Sequence, residues 1–309
     1  MLDGKRQMTR TNRPRHVNDH VMARFQHEDI PVIDGHVLWC ERRALSTKTI
    51  YHKVTTMASL AETHPNTSLL DLTGDQIENH LDGLRGHAGG PIQSNTRKAR
   101  VSIFRTFYRW AVEFDHLDLS PMRQVITPKV SPSLPSPISE NDYRLALASA
   151  PTELMRLWVL LSGAGSLRVG EIAGLCWSGV DLYDRTMRVT GKGGRTRVVP
   201  LIDDIVDMLH DRQRTRGDSD HVFTDPVFGR PYAAAKVSSL IVQFLRELGL
   251  DCRAHSLRHR FGTEACESSG DIRAVQELMG HASIETTAMY TLVRSKRKRG
   301  VIDGMRDAA

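Results

Sequence analysis

The chain has 309 residues, 40% of them hydrophobic, which is enough to bury the cores of two domains. Forty-two lysines and arginines against 36 aspartates and glutamates leave a net charge of +6, which favours a polyanionic partner without naming one. Cys40, Cys176, Cys252 and Cys266 show neither CxxC spacing nor the density of a disulfide scaffold, and no run of about 18 apolar residues is present, so composition weighs against a secreted, disulfide-stapled chain and against a membrane-spanning one.

Residues 1–18 form a basic tail, with Lys5, Arg6, Arg10, Arg13 and Arg15 against Asp3 alone and little to bury. Residues 19–128 carry helical patterning. Ser46 and Thr47 can cap a helix holding Ile50, Val54, Met57 and Leu60, and Leu72 to Leu84 makes another. From Asn95 to about Phe114, Val101, Phe104, Phe107, Tyr108 and Ala111 make an apolar stripe, with Arg97, Lys98, Arg100, Arg105 and Arg109 on the other faces. Prolines 121, 128, 132, 135 and 137 then break the pattern, and 129–137 reads as a linker.

A second domain, 138–292, opens with Ser139 and Asp142 at a helix start and an apolar core helix over Leu154 to Leu161. Asp181–Thr190 and Thr196–Leu201 are the strand candidates, joined by a GKGG turn. The remainder is helical. A helix from about Asp271 to Met279, with Ile272, Val275 and Leu278 as its buried side, ends at Gly280, and Ser283 can cap the next one. Residues 293–309 are a second basic tail.

Four strings in this domain carry chemistry: SLRVGE around Arg168, TGKGGR around Lys192, HSLRH from His255 to His259, and LMGHASIETTAMY ending at Tyr290. Cleaving a phosphodiester without a metal needs cations on the non-bridging oxygens, a nucleophile and an acid for the departing oxygen. Arg168 and Arg258 can grip phosphate oxygens bidentately and stay protonated throughout. Glu171, three residues after Arg168, is expected to support the site without touching the phosphate. His255 stands three residues before Arg258 at a helix start and can assist proton removal from the nucleophile, whereas His259 is expected to be structural. A Walker loop is excluded, because Lys192 is followed by Gly193 and a strand-like TRVVPL. An unbroken helix from His281 to Tyr290 would rotate the two by about 900°, onto opposite faces; the break at Gly280 to Ser283 removes that conflict.

Read together, Arg168, Lys192, His255, Arg258, His281 and Tyr290 resemble, in order and spacing, the active site of the tyrosine recombinases, the phage-integrase type of DNA strand-exchange enzyme. The resemblance implies a mainly α fold with a small antiparallel β-sheet. A helical, SAM-like core-binding domain over 19–128 and a catalytic domain over 138–292 would clamp DNA. It also implies that Tyr290 attacks a DNA phosphate to give a 3′-phosphotyrosyl link, that Arg168, Arg258 and His281 stabilise the pentavalent state, and that Lys192 protonates the 5′ oxygen. Neither cofactor, metal nor ATP is implied. The implied partners are double-stranded DNA recombination sites, a homotetramer in the synaptic complex and an accessory directionality factor, in the bacterial cytoplasm or nucleoid. Thr47, Lys48, Arg97, Lys98, Arg100 and Arg105 are the candidate DNA contacts of the first domain. Integration or excision of a phage or other mobile element is the favoured role. Xer-type dimer resolution and transposon recombination stay open, as do a type IB topoisomerase and a catalytically silent DNA-binding regulator. In the family a C-terminal helix passes to a neighbouring protomer, for which Val301, Ile302 and Met305 would supply the apolar face.

Overall fold

A computed structural model describes residues 17, 19–86, 88–130, 134–191 and 194–291, and the chain divides into two units, 1–132 and 133–309. Of the expected N-terminal tail only Val17 is described, and it is buried in the core of the first unit instead of free; the expected C-terminal tail, including Val301, Ile302 and Met305, lies outside the described residues, as does Lys192.

The described part of the first unit is helical: α1 (Asp19–Met22), α2 (Asp29–Arg42), α3 (Thr47–Thr63), α4 (Gly74–Gly83) and α5 (Ser94–Glu113), followed by one 3₁₀ turn at Pro121–Arg123. Ser46 starts α3 by accepting the Thr49 N–H, and α4 opens with a capping box between Thr73 and Gln76. The α5 stripe of Val101, Phe104, Phe107, Tyr108 and Ala111 is fully buried, and Trp110 joins it. The buried Tyr108 hydroxyl donates to the Leu69 carbonyl at 2.7 Å, so its polar end is satisfied. Helix α2, which the sequence reading did not name, buries Ile33, Val37 and Cys40 at helical spacing in the same core.

In the second unit, α6 (Glu140–Ala148) is capped by Ser139, whose hydroxyl accepts the Asp142 N–H. Helix α7 (Glu153–Gly163) is buried at every position from Leu157 to Gly163, which is why it reads as a continuous apolar run and sits at the centre of the core. A short α8 (Val169–Ala173) leads to a three-stranded antiparallel sheet of β1 (Val180–Asp181), β2 (Thr186–Thr190) and β3 (Thr196–Pro200), in the order β1-β2-β3. The expected strand over Asp181–Thr190 is two strands and a tight turn. Asp181 Oδ1 accepts the Tyr183 and Asp184 N–H groups, and Arg185 takes a left-handed φ of 51° to reverse the chain. Helices α9 (Asp203–Arg214), α10 (Ala234–Glu247), α11 (Ala254–Ser269), α12 (Ile272–Met279) and α13 (Ile284–Thr291) complete the unit. Helix α12 buries Val275 and Met279, while Ile272 and the expected Leu278 are half-buried. The second unit is thus mainly α with a small antiparallel sheet. No described helix is long and apolar enough to cross a membrane.

Candidate active site

Helix α12 stops at Gly280, whose φ of 60° and ψ of 47° turn the backbone out of the helix and leave the last carbonyls without helical donors. Three arginines take those carbonyls in succession. Arg197 Nε donates to Leu278 O at 2.8 Å, Arg258 Nη2 donates to Met279 O, and Arg168 Nη2 donates to Gly280 O at 3.2 Å. Cations at a helix C-terminus also meet the negative end of its dipole.

The same arginines surround Glu171, whose side chain is only 4% exposed. Arg197, on β3, grips it with both terminal nitrogens at 2.9 Å. Arg168, the residue just before α8, gives it both a guanidinium bond of 2.8 Å and a backbone N–H bond of 2.9 Å, and Arg258 Nη1 stands 3.8 Å away. Burial pushes the Glu171 carboxyl up, but the bonds from Arg197 and Arg168 outweigh it and hold the group at about 2. One permanent anion thus sits among three cations, leaving a local excess of positive charge for an incoming anion.

Arg258 is 1% exposed and spends its terminal nitrogens on the Ser166 and Met279 carbonyls. Burial, with help from Arg168, lowers it to about 9, so it is still charged at neutral pH. Its Nε has no hydrogen-bond partner among the described residues. A buried, charged N–H of this kind costs free energy until an acceptor arrives.

His255, in the first turn of α11, is exposed as a residue, yet its ring is crowded by protein and by Arg258 and Arg168, which keep it below the usual imidazole range. His259, one turn on, packs edge-on against it with ring centres 4.4 Å apart. The ring hydrogen-bonded to the Tyr290 hydroxyl is that of His259, through Nδ1 at 3.0 Å, and not that of His255, the residue expected to assist proton removal. Burial, His255 and Arg258 bring His259 down to about 4. Tyr290 is 3% exposed, in a small cluster with Cys266, Val275 and Met279. Its ring lies over Gly262, where a Cβ would stand 2.6 Å from Cζ; only glycine leaves room. Burial raises the phenol to about 12, against the opposing pull of Arg258.

The interruption of the helix at Gly280 brings His281 to the same side as Tyr290: the two rings are nearly parallel, at 10°, with centres 6.1 Å apart. His281 Nδ1 is hydrogen-bonded to Thr287 Oγ1 at 2.9 Å, and burial followed by Arg258 and Arg168 lowers the ring to about 4. The structure therefore gathers Arg168, His255, Arg258, His281 and Tyr290 with Glu171 and His259. Lys192 falls between Gly191 and Gly194 of the β2–β3 turn, which is closed by the Gly191 N–H on Arg195 O at 2.8 Å.

Two residues of this constellation escaped the sequence reading, Arg197 and Thr287. Arg197 left a signal: it is in phase with the apolar Val199 and Leu201, so a strand that buries those two turns a charge inward. In the first unit, Thr47, Lys48 and Lys98 are exposed, whereas Arg100 is half-buried. Arg97 pairs with Glu78 and Asp82, and Arg105 bonds Thr127 Oγ1 and Val125 O.

Residues 138–297 match the model of the phage integrase family. The tyrosine recombinase XerC of Xylella fastidiosa (strain 9a5c) is 35% identical over 211 residues, which cover 65% of this chain and 70% of XerC. Among solved structures, a lambda integrase (75–356) dimer bound to a COC′ core site superposes with a TM-score of 0.68 at 20% identity, covering 84% of this chain and 94% of that one. A lambda integrase tetramer bound to a Holliday junction gives 0.65 at 20% identity, covering 87% and 83%. The family match spans more than half of the chain and includes every member of the arginine, histidine and tyrosine constellation, so this chain belongs to the phage integrase family of tyrosine recombinases, enzymes that break and rejoin DNA at specific sites.

Proposed function

We propose that the site performs strand exchange through Tyr290. The observation that carries this reading is the buried Arg258 Nε, a charged donor without an acceptor, beside Arg168 and within the same cluster as the Tyr290 phenol. A DNA phosphate supplies the missing acceptor, and its negative charge meets the excess positive charge around Glu171.

In the proposed reaction the Tyr290 oxygen attacks phosphorus and loses its proton as it does so. The bond from phosphorus to the 5′ oxygen breaks, the 3′ side becomes linked to tyrosine, and Lys192 gives the leaving oxygen its proton. A 5′ hydroxyl of the partner duplex reverses the step, so the phosphodiester energy is kept and no ATP or metal is used. Because the phenol titrates near 12, it is neutral at rest; the proton leaves during attack, with His259 as the group already bonded to it. A neutral His281 has a single N–H. If Nδ1 accepts from Thr287, Nε2–H is left to bond the phosphate.

The partners we propose are two double-stranded DNA sites and three further copies of this chain, an assembly supported by the lambda integrase tetramer described above. Such work belongs in the cytoplasm. For its outcome we favour integration and excision of a mobile element, in keeping with the family match. The similarity to XerC favours a second reading, Xer-type resolution. Sequencing the DNA around the gene before and after inducing the protein separates them: loss of a segment bounded by direct repeats supports excision, and recombination confined to one chromosomal site between sister copies supports resolution.

A further inference from the structure

We propose that Arg197 is a positioning residue for the phosphate clamp, holding Arg168 through their shared carboxylate and holding the turn that presents His281. The inference rests on the reading of Arg168 and His281 as phosphate ligands.

Arg197 touches three elements at once. Its backbone belongs to β3, its terminal nitrogens hold both oxygens of Glu171 on α8, and its Nε holds the last turn of α12 at Leu278 O. It is 11% exposed, against 32% for Arg168, so it lies beneath the clamp and its donors are already used. Arg168 reaches the same two partners from above: Glu171 Oε1 and, through Gly280 O, the same turn. Gly280 is wedged between them. A Cβ there would approach Arg197 Nη1 to 3.1 Å and Cδ to 3.2 Å, so the turn before His281 rests directly on the Arg197 side chain. A planar fork bridges two carboxylate oxygens and a carbonyl with fixed angles, which a single ammonium does not reproduce. Without Arg197, Glu171 would keep only the bonds from Arg168 and draw that guanidinium inward, away from a phosphate.

The test compares adduct formation on two nicked suicide duplexes built from the sequence that the wild-type protein selects out of a random pool. One carries an ordinary scissile phosphate and the other a methylphosphonate, which lacks the negative non-bridging oxygen that the clamp neutralises. Arg197→Ala should bind the duplex within about threefold of wild type, form adduct about 100-fold more slowly on the phosphate, and lose about tenfold or less on the methylphosphonate. Arg168→Ala should show the same relief. Arg197→Lys should show the same pattern more weakly, and it carries the test if the alanine variant does not melt cooperatively. A wild-type rate on phosphate, or an equal loss on both duplexes, overturns the positioning role. The functional reading fails separately: it is overturned if the wild-type protein forms no adduct on the ordinary phosphate, or if Tyr290→Phe forms one.

Discussion

At the scale of single residues, Glu171 and the two low-lying histidines make the sharpest statements. Glu171 ionises at about 2 in the folded chain and near the ordinary carboxyl value of 4.5 when unfolded. A carboxyl depressed in this way stabilises the fold fully above the unfolded value and loses that contribution as pH falls through the folded one. Wild type should therefore lose about 3 kcal/mol relative to Glu171→Gln between pH 5 and pH 2 in urea titrations, and parallel pH curves for the two proteins would refute it. His259 and His281, both near 4, are neutral throughout the range in which an ordinary histidine titrates. Adduct formation should consequently show no step centred near pH 6.5. Such a step in a single-turnover pH profile would refute the neutral state of these two rings. Tyr290, Arg168 and Arg258 were legible in the sequence because each motif string is short and self-contained. The His259 bond to Tyr290 was not, since it joins residues 31 apart and depends on how deeply the ring sinks against Gly262.

At the scale of elements, glycine decides where two helices meet. Gly262 on α11 lets the Tyr290 ring of α13 pack close against the helix, and Gly280 turns the chain out of α12 so that His281 faces Tyr290. Gly262→Ala should slow adduct formation at least about tenfold and destabilise the second unit by about 1–3 kcal/mol through overpacking. Intact rate and stability would mean that the ring rests elsewhere. Gly280→Ala adds left-handed strain to the clash with Arg197, and a loss of about 1–2 kcal/mol in chemical denaturation is expected. The turn after Gly280 was legible from its glycine and the Ser283 cap. The split of 181–190 into two strands was not, because the Asp181 turn is local hydrogen bonding laid over a pattern that still alternates like one strand.

At the scale of the whole molecule, each unit has its own core, with a large apolar cluster in each and a smaller one around Tyr290 in the second. The mainly α class followed from helical spacing and well-placed caps. Which basic side chains of the first unit are free for DNA did not follow, since Arg97 and Arg105 are drawn into local bonds that no periodicity reveals. Binding of duplex through several phosphates should fall steeply with added salt, as counterions no longer gain by release. A salt-independent affinity would remove phosphate contacts from the account.

Strand exchange as proposed here needs Tyr290 as the nucleophile of a clamp built from Arg168 and Arg258. The most direct measurement is covalent capture on a nicked suicide duplex carrying the selected site, resolved by denaturing electrophoresis and peptide mass mapping. Wild type should yield a DNA-linked peptide containing Tyr290, and Tyr290→Phe should bind the same duplex and yield none. An adduct retained by Tyr290→Phe, or mapped to another residue, would place the nucleophile elsewhere.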